Sequence, residues 1–203
     1  LADVNARHTL LSLRETAGKL KVYSEWLLGR NLLGRALDDP NSMQLKDQER
    51  TILFMDIRSF TKWSEQRSPD EVASLMNDYY LTIESVLELF PVIKYKFTAD
   101  EVMAVFVEPK DAVKAARALR KSVQETLAAA KLGAGIGIHT GIVVEGLLGG
   151  QNVRFYDVLG DVVNTASRIE SAAGANEIWI SESMYAQLPQ ITVGRMQEIS
   201  AKG

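Results

Sequence analysis

The chain has 203 residues, 46% of them hydrophobic and 24% charged, with a formal net charge of −3. That balance supports one buried core with an appendage and argues against extended disorder, and the slight acidity gives no general pull toward nucleic acid or an anionic membrane. The absence of cysteine excludes disulfides, thiolate metal sites and cysteine nucleophiles; with no signal-peptide pattern and no apolar run near the roughly 20 residues that span a bilayer, the chain reads as a soluble, cytoplasmic piece.

From about Arg7 to Leu37 the pattern predicts a helix, with Leu10, Leu13, Ala17, Leu20, Ser24, Leu27, Asn31 and Gly34 recurring at alternating steps of three and four. This is coiled-coil spacing, diluted in its second half by Ser24, Asn31 and Gly34. Two readings stand: an amphipathic helix packed on its own domain, or a parallel dimer-forming helix that carries a signal. Asp38-Asp39-Pro40-Asn41-Ser42 breaks the helix. Residues 1–41 are thus expected to be a helical linker or transducer, and residues 42–203 the main domain.

Thr51 to Asp56 is a predicted strand. A helix follows from Ser68, a good N-cap with Pro69 at the first helical position, to about Phe90. Val92–Phe97 and Val102–Val107 form a predicted hairpin around Asp100, and Pro109 opens an Ala-rich helix reaching about Lys131. Gly135–Gly141 and Ile142–Leu148 read as a strand pair. Beyond them come a helix from about Val162 to Ala173, a strand at Ile178–Ile180, a short helix from Ser181 and a last strand near Val193 to Ser200. The order strand, helix, strand, strand, helix, strand is the βαββαβ signature of an α+β, ferredoxin-like sheet with helices on one face. Starting at Leu1 and stopping at Lys202-Gly203 within a strand and turn, the chain is expected to be cut from a longer protein, whose membrane attachment stays open.

Several polar residues interrupt this apolar frame. Asp56 closes one strand and Asp100 sits at the hairpin tip, so two carboxylates leaving the core at one edge can share hard cations such as Mg²⁺, although each alone is equally an ordinary turn residue. The turn Ile57-Arg58-Ser59-Phe60-Thr61 can face an anion with its backbone N–H groups. Lys96, inside an apolar strand, needs an acceptor for its ammonium and reads as reaching a polar pocket. Lys94 lies on the same strand face, and the alternative is that both line a solvated face. Asn164 and Arg168, four apart on a predicted helix, present an amide and a guanidinium together, suited to ribose and phosphate or simply to solvent.

Combined, Met55-Asp56-Ile57-Arg58-Ser59-Phe60-Thr61, Lys96-Phe-Thr-Ala-Asp100, Phe155-Tyr-Asp157, Asn164 and Arg168 closely resemble the catalytic domain of class III nucleotidyl cyclases. The resemblance runs from about Gln48 to Gly203. It implies that Asp56, Asp100 and Ile57 hold two divalent ions per site, Mg²⁺ or Mn²⁺, with the turn through Phe60 and Thr61 along the triphosphate. It further implies that Lys96 and Asp157 read the purine, the lysine donating to the adenine ring nitrogen and the aspartate accepting from the exocyclic amine, so the substrate is expected to be ATP. By the same resemblance Asn164 orients the ribose, Arg168 stabilises phosphate charge in the transition state, and Lys202 contacts the outer phosphates.

Family sites form between two head-to-tail domains. One chain carrying both halves implies a homodimer with two complete sites, regulated by an upstream sensor domain in the parent protein. The chain departs from the family at Ala99 and Ser59, where glycine is usual, and it ends before the strand that normally follows the Lys-Gly pair. A guanylate or diguanylate cyclase is the second enzyme reading. Lys96 with Asp157 argues against the first, and the lack of a Gly-Gly-Asp/Glu-Glu-Phe run against the second. Ala99 favours a third reading, a nucleotide-binding regulatory module without turnover.

Overall fold

The predicted N-terminal helix is two helices in the computed structural model, which describes residues 2–194 and 196–199. Helix α1 (Ala2–Leu28) and α2 (Arg30–Asp38) meet at Gly29, whose φ of 79° lies outside the helical range. The break divides the two readings of the heptads between the halves. Leu10, Leu13, Leu20 and Leu27 on α1 are exposed, whereas Leu32 on α2 is fully buried against Met43 and Tyr156. Asn31 anchors α2 further by donating from Nδ2 to the Val92 carbonyl at 2.9 Å.

Strand β1 (Lys46–Ile57) is the longer version of the predicted first strand and runs through the middle of the sheet. After it come α3 (Phe60–Ser64), α4 (Pro69–Leu87), β2 (Val92–Thr98), β3 (Glu101–Phe106) and α5 (Pro109–Leu127). The start of α4 follows from its sequence: the Ser68 hydroxyl accepts from the Glu71 N–H while the Glu71 carboxylate accepts from the Ser68 N–H, a reciprocal capping box with Pro69 inside it. Its buried residues Met76, Tyr79, Ile83, Val86 and Leu87 recur at helical spacing.

Strand β4 (Ala134–Gly149) replaces the expected strand pair at 135–148 with one continuous 16-residue strand. The glycines that suggested a turn serve close packing instead. A Cβ on Gly137 would fall 2.1 Å from the Glu170 backbone nitrogen, so glycine lets a helix lie directly on the strand. The partner of β4's second half is β5 (Arg154–Leu159), followed by α6 (Asp161–Ala172), β6 (Ile178–Ile180) and α7 (Glu182–Gln187). The strand expected near Val193 to Ser200 does not form: Val193, Gly194 and residues 196–199 have no ladder partner, and Ser200 lies outside the described residues.

The sheet order is β2-β3-β1-β4-β5, antiparallel throughout, with β6 parallel to β4. Its first four strands with α4 and α5 make the expected ferredoxin-like α+β unit. On one face Leu53, Met55 and Ile57 pack with Val102, Ala104 and Phe106 against α4, α5 and α7. The opposite face carries Ile52, Phe54, Met103, Val105, Val143 and Val158, covered by Ala166 of α6. This second layer adds a helix beyond the predicted one-sided arrangement. The two outermost strands on the path nevertheless touch, because the sheet curls until β2 and β5 face each other.

Candidate active site

Asp56 is the penultimate residue of β1, and Asp100 occupies the tip between β2 and β3. Two tyrosines of α4 fix that tip: Tyr79 donates from its hydroxyl to the Asp100 carbonyl at 3.0 Å, and Tyr80 to the Ala99 carbonyl at 2.8 Å. Ala99 itself has φ 52° and Ser59 φ 63°. Both positions where the chain lacks the usual glycine therefore adopt the left-handed conformation that favours glycine, at a cost of about 1 kcal/mol each.

The Asp56 and Asp100 carboxyl groups lie within hydrogen-bonding reach of one another. Burial, then the contact and charge of Asp100, push the Asp56 pKa from 3.8 to about 6, with Arg58 and the Ile57 N–H offsetting part of the rise. Arg58 Nη2 stands 3.6 Å from Asp56 Oδ2 and also forms an ion pair with the buried Glu170 of α6. The ion pair ties the Asp56 turn to the helix that carries Asn164 and Arg168.

Divalent ions such as Mg²⁺ take hard oxygen donors and often only one or two carboxylates, with solvent and phosphate completing the shell. Asp56, Asp100 and the Ile57 carbonyl are a donor set of that kind, and two adjoining carboxylates are an environment in which positive charge is favourable. Among the described residues no group of three or more His, Asp or Glu side chains converges, so an ion held here draws its remaining ligands from elsewhere. The Ile57 side chain is buried, which leaves only its backbone to face the site. Phe60 and Thr61 begin α3, whose first amides have no intrahelical acceptor.

Lys96 and Asp157 come together across the curl. Lys96 Nζ donates to Asp157 Oδ2 at 2.7 Å, and the Val158 N–H donates to Oδ1 at 3.0 Å. Lys94 belongs to the same group: its ammonium donates to the Tyr156 carbonyl and lies 4.0 Å from Asp157 Oδ1. With a side chain only 13% exposed, Lys94 does not line a solvated face. Asn164 is exposed, and Arg168 borders a broad cleft shared with Arg117, Arg120 and Trp179. No hydrogen bond or ion pair among the described residues joins either one to the aspartate pair or to Lys96 and Asp157. Lys202 lies outside the described residues.

The model of the adenylate and guanylate cyclase catalytic domain family matches residues 43–203. The chain belongs to this class III nucleotidyl cyclase family. It is 34% identical over 151 residues to the receptor-type guanylate cyclase gcy-28 of Caenorhabditis elegans, covering 69% of this chain and 12% of that protein. Against an adenylate cyclase of Mycobacterium tuberculosis it is 29% identical over 195 residues, covering 89% and 44%. The cyclase domain thus spans less than half the length of these curated relatives. Among solved structures it resembles the adenylyl cyclase CyaB from P. aeruginosa, with a TM-score of 0.68 and 29% identity over 73% of this chain and 84% of that one. The guanylyl cyclase Cya2 gives 0.62 and 30% over 71% and 80%. Relatives named for either nucleotide occur, so membership leaves the base open.

Three features of the cyclase domain escape a reading of motifs alone. The Arg58–Glu170 pair joins residues far apart in sequence. Tyr79 and Tyr80 look like ordinary core aromatics on α4, and Tyr79 is one while Tyr80 packs beside it; nothing in the sequence says that their hydroxyls reach the hairpin tip. Lys94 carried a signal in its two-residue spacing from Lys96, but only the curl of the sheet gives it an acceptor.

Proposed function

We propose that the chain is the catalytic domain of an adenylate cyclase, converting ATP to 3′,5′-cyclic AMP and pyrophosphate in sites shared by a head-to-tail homodimer. The 2.7 Å contact between Lys96 and Asp157 carries this reading. A donor beside an acceptor at that spacing matches the ring nitrogen and amine of adenine, whereas guanine presents the reverse pattern. Asn164 orients the ribose of the nucleotide, and Arg168 meets the negative charge that grows on the phosphate. That neither side chain bonds to the aspartates among the described residues of one chain supports their donation to the partner's site. The backbone of Ile57 to Thr61 lies along the triphosphate, and Lys202 reaches its outer end.

In the reaction the ribose 3′-oxygen bonds to the α-phosphorus as the bond from that phosphorus to the bridging oxygen breaks. The hydroxyl proton passes to solvent, and the electron pair leaves with pyrophosphate. Two ions of Mg²⁺ or Mn²⁺ held by Asp56, Asp100 and the Ile57 carbonyl would polarise the phosphates and lower the pKa of the attacking hydroxyl. Residues 1–41 act as the linker from an upstream sensor, and α1 offers its exposed leucines to a second copy. No helix among the described residues is long and apolar enough to cross a membrane; we assign the domain to the cytoplasm.

Purified protein incubated with Mn²⁺ and either ATP or GTP tests the assignment, with cyclic AMP as the expected product. Cyclic GMP alone would overturn the choice of base, and no product from either nucleotide would favour the regulatory module. Mixing Asp56→Ala with Arg168→Ala subunits should restore about a quarter of wild-type rate, because random exchange makes half the dimers mixed and each holds one intact site. Zero rescue refutes shared sites.

A further inference from the structure

Lys94 is buried where a charge is costly. Burial lowers its pKa, opposed by the Asp157 charge. Its acceptors are all on β5: the Tyr156 carbonyl and, at 4.0 Å, the Asp157 carboxylate. Lys96 is different, with a side chain 40% exposed and able to move. Asp157 is 12% exposed, held at Oδ1 by the Val158 N–H and at Oδ2 by Lys96.

That arrangement poses a problem for a base entering between Lys96 and Asp157, because their bond must open first. Were Lys96 the only cation beside this buried carboxylate, moving it away would carry a large penalty. The other cations on or near β5 are engaged elsewhere: Arg50 binds Glu145 through two 2.7 Å contacts, Arg35 stands 3.8 Å from the same carboxylate, and Arg154, at the far end of β5, donates to the Gly150 carbonyl at 3.2 Å. Glu101, whose pKa Lys96 helps to lower against the effect of burial, adds negative charge on the Lys96 side. Lys94 is the cation that stays.

We propose that Lys94 is a positioning residue for nucleotide selection: it holds Asp157 and compensates its charge while Lys96 turns away to the purine. The proposal rests on the adenylate reading of Lys96 and Asp157. With Lys94 in place, opening the pair exchanges one of two cationic neighbours for the base, and Asp157 remains an acceptor aimed at the adenine amine. Without Lys94, Lys96 becomes the sole counter-charge and stays locked on Asp157. The Tyr156 carbonyl, which sets the backbone of Asp157, also loses its donor.

The test is a steady-state comparison of wild type, Lys94→Met, Lys94→Gln and Lys94→Arg with ATP and GTP, beside thermal melts of each. Lys94→Met should raise KM for ATP about tenfold, equivalent to about 1.4 kcal/mol, with a much smaller change in kcat. The preference for ATP over GTP in kcat/KM should fall in proportion. Lys94→Arg should recover most of both losses. Lys94→Gln keeps a donor for the Tyr156 carbonyl without the charge, so it should behave like Lys94→Met and takes its place if that variant does not fold. Wild-type protein that neither makes cyclic AMP nor binds ATP overturns the adenylate reading and this inference with it. Wild-type cyclic AMP synthesis, with uncharged variants that keep KM and ATP preference or lose kcat equally for both nucleotides, overturns the role of Lys94 alone.

Discussion

Asp56→Asn should make the metal-free protein more stable while abolishing its activity. The pKa of Asp56 moves from 3.8 to about 6, and each unit is worth about 1.4 kcal/mol, so charging it costs the native state about 3 kcal/mol at most. The side chain is 31% exposed, and allowing for solvent screening leaves roughly 1 to 1.5 kcal/mol. The direction follows from proton binding. Between pH 3.8 and about 6 the native state keeps a proton that the unfolded chain has released. The stability this confers is fully present below pH 3.8, is lost as pH rises to about 6, and stays lost above that. Asparagine has no such proton. In EDTA at neutral pH the variant should therefore melt about 3 to 5 °C above wild type, with the gap closing as pH is lowered through 6 toward 4. Circular dichroism melts across that range read the difference directly, and added Mn²⁺ should stabilise wild type but not the variant. A variant that melts lower than wild type in EDTA at neutral pH refutes the argument that burial, with Asp100 beside it, makes the charged Asp56 costly to the native state.

Ala99→Gly should raise the melting temperature by a few degrees at most, because relief of about 1 kcal/mol at φ 52° is partly offset by the greater freedom of glycine when unfolded; a lower melting temperature would mean that Tyr79 and Tyr80 hold the tip without strain. Arg58→Ala strands the buried Glu170 and should cost about 3 kcal/mol, near 10 °C by calorimetry; a loss below about 1 kcal/mol contradicts the ion pair. Gly146→Ala meets both a φ of 149° and backbone atoms of Gln44 and Leu45 at 2.8 Å, and should weaken ATP binding severely; unchanged affinity in a titration would separate the bend of β4 from the proposed purine slot.

The frame of the domain was legible because its signals are local. The Ser68 and Glu71 capping box, the helical spacing on α4 and the carboxylates at the ends of apolar runs all lie within a few residues of one another. Glycine misled at β4, since a residue that permits a turn equally permits the close approach of α6, and sequence does not distinguish the two uses. Strand β5 went unassigned because Arg154 to Leu159 mixes charged, aromatic and aliphatic residues without a clean alternation. The meeting of Lys96 with Asp157 entered only through resemblance. Nothing within either strand says that opposite edges of one sheet touch.

That contact demands more of the backbone than strand twist alone. Through the ladder Lys96 stands in register with Met103, Phe54 and Gly137, while Asp157 pairs with Gly146. On a flat sheet those two positions of β4 would be about 30 Å apart along the strand, with several interstrand spacings of about 4.8 Å added across it. A lysine side chain recovers only about 6 Å, a few bond lengths beyond the backbone. The strand must fold back on the sheet, and Gly146, with its positive φ and its close approach to Gln44 and Leu45, is where it can do so. Behind the bend, Leu32 of α2 fills the space beside Tyr156, and Asn31 holds the start of β2. The strands that carry Lys96 and Asp157, the two walls of the proposed purine slot, therefore rest on the same short helix, so a displacement of α2 changes their separation without touching the aspartate pair.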